Sequence, residues 1–262
     1  MLSEEIKNKF TLIAERQEDI KQFGYDEGYE AGKKAEYNEF WVNTERTSQY
    51  RFSGTFWNKN NFKPNKDFEV GKCTFHYHNW QGTPYDLAAH LEELGITMTM
   101  GASSYNSSFY IGWFTRLPVL DFSEVSGWYD RVFYGAKMLV TIDKFIFAKE
   151  GKATAYSNIF QGCTALKNVI FEGVCDQSIK ISDSPLSVES TKSLILCLKD
   201  FRGDANEYVY TVTFKTSSFE ELERSGFTDE DKTWLASKSI TYSEDLTWTT
   251  VIDNLKWNLA LA

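Results

Sequence analysis

An α+β fold is predicted by three features of the sequence: a repeat 27 residues long, a heptad stripe near the N-terminus and a high aromatic content. The segment Val132–Ile142 (VFYGAKMLVTI) returns 27 residues later as Ile159–Val169 (IFQGCTALKNV). A fixed period is typical of stacked units that bury their faces on one another, and such stacks usually form binding surfaces. Aromatic residues make up 16% of the chain, which favours β-structure.

The predicted order is an N-terminal coiled-coil-like helix, a β-rich middle, a short stack of strands and a C-terminal cap of helices and strands. We place the oligomerisation and attachment helix at 1–34 and an aromatic-rich β or mixed segment at 35–116. The stack of strands follows at 117–185, and the α/β cap occupies 186–262.

The N-terminal segment has the pattern of a helix from Leu2 to about Phe23. Ile6, Ile13 and Ile20 are seven residues apart and Phe10 lies on the same seam, so these four side chains predict an oligomerisation stripe. Two to three heptads are marginal alone, so a coiled coil here needs support from the rest of the protein. The alternative is a helix packed on its own domain.

The middle segment contains a candidate metal site. Lys72–Trp80 alternates as a strand, which puts His76 and His78 on one face and Cys73 on the other. A zinc site within one chain is therefore awkward, but in a trimer three such histidine pairs would place six nitrogens around an axial metal. The alternative is a pair of surface or partly packed histidines.

Four tryptophans are candidates for glycan contact. They stand in loop-like or strand-end positions, where a flat ring covers the C–H face of a sugar and nearby amides or carboxylates bind its hydroxyls. The alternative for each is core packing. The four are Trp57, Trp80, Trp113 and Trp128.

The repeat predicts its own core. Aligning the two copies matches the following pairs of buried-type residues: Phe133 with Phe160, Leu139 with Leu166, and Ile142 with Val169. We expect strands at Leu120–Ser123, Met138–Ile142 and Leu166–Phe171, with a fourth at Ser178–Ile181.

Caps mark the helices on either side of the stack. Leu87–Leu94 has helical spacing and Gly95 is a stop signal, while Ser187 caps a helix that follows the stack. Further helices are expected at Ser218–Ser225 and Thr228–Ser237, each opening with capping-box spacing to an acid three residues on. The intervening segment 208–214 alternates as a strand, and Tyr242–Ala262 closes the end of the stack.

Composition excludes some classes of function. The formal net charge of −9 argues against general binding to nucleic acid or anionic membranes, because both need a basic face. No apolar run approaches the ~18 residues of a transmembrane helix, and Met1–Phe23 lacks the apolar core of a secretory signal. The four cysteines have no CxxC spacing, so we expect them reduced and mostly buried.

Several segments resemble one family. Val132–Phe147 and Ile159–Gly173 are similar to the BspA-type leucine-rich repeat. Ser182–Phe201 looks like the helical cap that follows such repeats in many proteins of gut Firmicutes and their prophages. Tyr25–Trp41 and Phe52–Phe68 also resemble that group, so the resemblance covers most of the chain except Phe68–Leu117.

The resemblance implies a non-enzymatic phage virion protein, a tail or head fibre or other appendage that contacts the host cell surface. It implies a homotrimer that attaches to other virion proteins through its N-terminus and binds a host glycan or protein, with no cofactor. A virion component leaves its host by lysis and needs no export signal.

Two other classes stay open. A bacterial cell-surface leucine-rich-repeat adhesin has the same repeat but requires an export route. A carbohydrate-active enzyme requires two carboxylates in a cleft, and the sequence has no nucleophile elbow, P-loop, dinucleotide fingerprint or HExxH motif.

Overall fold

The computed structural model describes residues 68–70, 84–95, 97–100, 114–127, 129, 131–153, 155–204 and 210–262. The predicted coiled-coil segment 1–34 and the predicted strand Lys72–Trp80 lie outside these residues. The described elements, in chain order, are β1 (Phe68–Val70), β2 (Tyr85–Asp86), α1 (Leu87–Leu94), β3 (Met98–Met100), β4 (Phe114–Asp121), β5 (Thr141–Ile146), β6 (Asn168–Glu172), β7 (Ile179–Lys180), α2 (Val188–Cys197), β8 (Tyr210–Phe214), α3 (Thr216–Ser225), α4 (Asp229–Ser237), α5 (Trp248–Asn254) and β9 (Trp257–Leu261).

The described strands form three sheets, with the orders β1-β3, β2-β4-β5-β6 and β7-β8-β9. Every described strand pair is parallel. The predicted mixture of helices and strands is confirmed, but the α+β class is corrected to a mixed α/β arrangement. Parallel neighbours need a long crossover between strands, and a repeat that brings each strand back in the same direction supplies that crossover.

The pairing register of the larger sheet follows the repeat. Ile142 of β5 lies opposite Val169 of β6, which is the 27-residue offset of the sequence. Leu117 of β4 lies opposite Ile142, an offset of 25, so β4 adds a strand whose spacing the aligned copies do not show. The register shifts between Ile142 and Phe145, where two residues of β5 oppose one of β6.

The turns of the repeat stack on one another as closely as the strands do. The Phe133 N–H donates to the Ile159 carbonyl at 3.0 Å, and the Gly135 N–H donates to the Gln161 carbonyl at 2.8 Å. The rings of Phe133 and Phe160 are stacked, with centroids 5.1 Å apart and planes 9° apart. Each turn therefore satisfies backbone groups of the next and also contributes a ring to the core.

One hydrophobic core joins the described elements. It runs from Leu87 to Trp257, and so crosses the predicted segment boundary between 185 and 186. The boundary predicted between 116 and 117 falls inside β4. Tyr129 and Tyr156 are also 27 residues apart and fully buried, with ring centroids 5.3 Å apart, so the structural repeat begins three residues earlier than the aligned sequence copies.

The caps predicted from sequence are mostly confirmed. α1 ends at Gly95 in a left-handed conformation, and the Ser187 side chain caps α2 by accepting from the Ser190 N–H. Thr228 and Asp231 form the predicted capping box of α4. The start predicted for α3 is wrong: Ser218 is buried within the helix, which begins after Lys215 without a side-chain cap.

Candidate functional site

The outward side of the β4–β5–β6 sheet is the candidate functional site. Strand geometry sends successive side chains to opposite faces, and the inward set here forms the core. We call the outward set the outer face, and it consists of Arg116, Val119, Thr141, Asp143, Lys144, Asn168, Ile170 and Glu172.

Two aliphatic side chains of the outer face are open to solvent. Val119 is 46% exposed and Ile170 is 44% exposed. Parallel sheets are normally covered on both faces, so a parallel sheet with accessible β-branched side chains is unusual. The helices that contact this sheet, α1 and α2, do so at β4 and β6. Exposed aliphatic groups on a rigid sheet are typical of a surface that meets a partner.

A bidentate ion pair joins β4 to β5 on the outer face. Arg116 Nε donates to Asp143 Oδ1 at 2.6 Å, and Arg116 Nη2 donates to Oδ2 at 2.9 Å. Arg116 Nη2 also donates to Glu92 Oε1 on α1 at 3.1 Å. The hydrogen bonds with Asp143 raise the pKa of Arg116, in spite of the opposing effect of desolvation. Two parallel bonds hold the guanidinium plane in one orientation.

A second ion pair joins β5 to β6. Lys144 Nζ lies 2.6 Å from Glu172 Oε1. Partly exposed pairs of this kind contribute about 0–1 kcal/mol each, so they order the face more than they stabilise the fold. Because its cations are paired and it carries no aromatic side chain, the outer face suits contact with a protein better than stacking on a sugar.

The free edge of β6 is closed by α2. The Ser190 hydroxyl accepts from the Val169 N–H at 2.9 Å and donates to the Lys167 carbonyl at 3.1 Å. Ser193 accepts from the Phe171 N–H at 3.2 Å. The serine hydroxyls therefore take the place of a further strand, which prevents uncontrolled edge pairing and ends the outer face at β6.

The described residues offer no evident reactive centre. They contain no group of three His, Cys, Asp or Glu side chains that could hold a metal ion. Cys163, Cys175 and Cys197 are free and buried, and burial raises the pKa of the Cys163 and Cys197 thiols to about 12. Burial raises the pKa of the Cys175 thiol as well, so all three stay protonated at neutral pH and are poor nucleophiles. No helix in this part of the chain has the length and hydropathy to cross a membrane.

The predicted site residues fall into two groups. The six of the repeat core are all buried: Phe133, Leu139, Ile142, Phe160, Leu166 and Val169. Those predicted for oligomerisation, metal binding and glycan contact lie outside the described residues: Ile6, Phe10, Ile13, Ile20, His76, His78, Trp57, Trp80, Trp113 and Trp128.

The outer face itself was not predicted from sequence. Its members lie between the core residues of the repeat, and they differ from one strand to the next because only the inward residues are repeated. The available signal was the polar or exposed-type residue that alternates with each predicted core residue.

Comparisons with known proteins add no family to this geometry: no family model, no curated protein and no solved structure matches the chain.

Proposed function

We propose that this chain is a non-enzymatic structural protein of a phage virion, part of a tail or head fibre or another appendage. In this proposal the stacked strands are a short leucine-rich-repeat module of the BspA type, and the outer face contacts a protein on the host cell surface. The observation that carries the proposal is a parallel sheet whose outward side exposes aliphatic groups between paired charges.

The repeat supports the family assignment. The offset between β5 and β6 equals the 27-residue period of the sequence. The stacked rings of Phe133 and Phe160 and the paired glycine turns at Gly135 and Gly162 give each repeat the same core and the same turn. These features agree with the segments of the sequence that resemble the BspA-type repeat.

The chemistry of the outer face supports binding to a protein. Val119 and Ile170 provide apolar area that a partner can bury, and the Arg116–Asp143 pair provides fixed donors and acceptors beside it. The proposal also keeps the sequence prediction that the N-terminal stripe of Ile6, Ile13 and Ile20 forms a trimer and joins the chain to other virion proteins.

The place of the chain in a virion is tested by induction of the strain that encodes it. Particles released after induction are purified on a density gradient, and each fraction is analysed by quantitative mass spectrometry. We expect the chain to sediment with the capsid protein at a fixed ratio. Recovery in the cell-wall fraction and absence from the particles would instead support a bacterial surface adhesin.

The role of the outer face is tested with a matched pair of variants. Ile170→Lys puts a charge on the outer face, whereas Val174→Lys puts the same charge on a neighbouring site of similar exposure, 39%, after β6 has ended. Binding of the labelled full chain to host cells is measured by flow cytometry. We expect Ile170→Lys to weaken binding about tenfold or more, a change of about 1.4 kcal/mol, and Val174→Lys to leave it unchanged. Equal effects of the two variants would remove the outer face from the proposal.

A further inference from the structure

The free edge of β9 has a property that the proposed function does not use. Among the described strands β9 pairs with β8 alone and is the outermost strand of its sheet. The edge of β6 is closed by the hydroxyls of Ser190 and Ser193, but no described side chain does the same for β9. An open edge offers a row of backbone donors and acceptors to another extended strand.

Hydrogen bonds at the end of β9 show which groups point outward. The Ala262 N–H donates to the Phe214 carbonyl and the Ala262 carbonyl accepts from the Thr216 N–H, both at 3.1 Å. Ala262 therefore faces β8. Because the backbone groups of a strand alternate between its two edges, those of Leu261, Leu259 and Trp257 point away from β8. Their three N–H and three C=O groups form the open edge.

The sequence of β9 contains none of the usual protections against pairing. The strand reads WNLAL, without a charged residue or a proline. Its register with β8 is regular over all five residues, so no bulge turns the edge away. Leu261 is 45% exposed and lies on the same face of the sheet as buried Trp257. The apolar side of the sheet thus continues to its open edge.

We propose that this edge pairs with β9 of a second copy of the chain. A two-fold axis beside Leu259 would run the two strands antiparallel and place Trp257 opposite Leu261 of the partner subunit. The two three-stranded sheets then become one six-stranded sheet with a closed, isologous contact. A second copy suits this edge because an uncharged strand meets no like charge when it pairs with itself.

This pairing is independent of the proposed function. It adds a dimer contact at β9, whatever association the N-terminal segment produces. If the N-terminal segment forms trimers, pairing at β9 joins trimers in twos. In either case, breaking the β9 contact halves the number of chains in the particle.

The first test is the mass of the full chain in solution. Leu261→Lys places a charge that meets the partner strand, and Leu94→Lys is the matched control because Leu94 is 52% exposed on α1, away from the sheet of β9. Mass is measured by sedimentation velocity over a range of concentrations. We expect Leu261→Lys to halve the number of chains per particle and Leu94→Lys to leave it unchanged. An unchanged mass for Leu261→Lys would overturn the proposal.

The second test uses the unmodified chain and so does not depend on a variant folding. Residue-resolved amide hydrogen exchange is measured at low and high protein concentration. We expect the Ala260 amide, which faces β8, to be protected at both concentrations, and the Leu259 and Leu261 amides to gain protection only as the copies pair. If these two amides exchange equally fast at both concentrations, no second copy covers the edge and the proposal fails.

Discussion

The close stacking of the glycine turns leads to a prediction with an internal control. Gly162 has φ +79°, and its N–H donates to Asp183 Oδ2 at 2.6 Å. Gly151 has φ +75°, and its N–H donates to Asp176 Oδ2 at 2.7 Å. The two positions therefore share a left-handed backbone and a carboxylate partner. They differ in what a side chain would meet.

At Gly162 a Cβ atom would lie 3.1 Å from the Cα and 3.2 Å from the N atom of Gly135 in the preceding turn. At Gly151 a Cβ atom would meet nothing within 4 Å. The contact at Gly162 is with backbone, which cannot rotate away as a side chain does. Alanine at Gly162 must therefore push two stacked turns apart.

The expected magnitudes follow from these contacts. A left-handed alanine costs about 1–2 kcal/mol at either position. Overpacking adds about 1–3 kcal/mol at Gly162 alone. We therefore expect Gly151→Ala to lower the free energy of unfolding by about 1–2 kcal/mol and Gly162→Ala by about 2–5 kcal/mol, with each kcal/mol lowering Tm by about 2–4 °C.

Urea denaturation of the full chain, followed by circular dichroism, measures both variants. Equal m-values would show that the variants change stability rather than the compactness of the unfolded state. The reasoning is refuted if the two variants cost the same to within about 0.5 kcal/mol, the usual scatter of surface substitutions. Such a result would mean that the turns are not in the close contact on which the repeat depends.

Two further predictions concern the buried polar groups. Ser190→Ala removes the partner of the buried Val169 N–H, so we expect a loss of about 1–3 kcal/mol in urea denaturation. A loss below the scatter of repeated measurements would show that the hydroxyl is dispensable at that edge. In a Cys73→Ser background, the remaining thiols should react with Ellman's reagent only after guanidinium is added, because burial raises their pKa. Prompt reaction of the native protein would contradict their burial.

The inward half of the repeat could be predicted from sequence because packing repeats there. Phe133 and Phe160 occupy equivalent positions on successive turns, and each ring packs on the other. The strand before them was placed too late, at Leu120–Ser123, because the β4–β5 offset is 25 residues and no equivalent Phe-x-Gly turn precedes β4. A pattern with one irregular spacing is invisible to a fixed-period alignment.

The start of α3 shows a different limit of sequence reasoning. Ser218 and Glu221 have the spacing of a capping box, but the helix begins earlier and buries Ser218. Local spacing alone does not distinguish a serine that caps a helix from one in its first turn. The same limit applies to the outer face, where Arg116 meets Asp143 only because two strands 25 residues apart are paired.

The small size of the outer face makes a demand on the proposed function. Three strands spaced about 4.8 Å apart, each contributing about five residues at 3.3 Å, cover an area roughly 15 Å wide and 17 Å long. A stable protein interface buries about 800 Å² on each partner, roughly three times that area. One module can therefore hold its partner only weakly, and the closure of β6 by Ser190 and Ser193 prevents the sheet from extending to enlarge the face. Tight attachment requires several copies acting together, because linked sites raise the overall affinity without any new contact. An appendage that presents many copies meets this requirement, and the β9 pairing would double the number of outer faces on each particle.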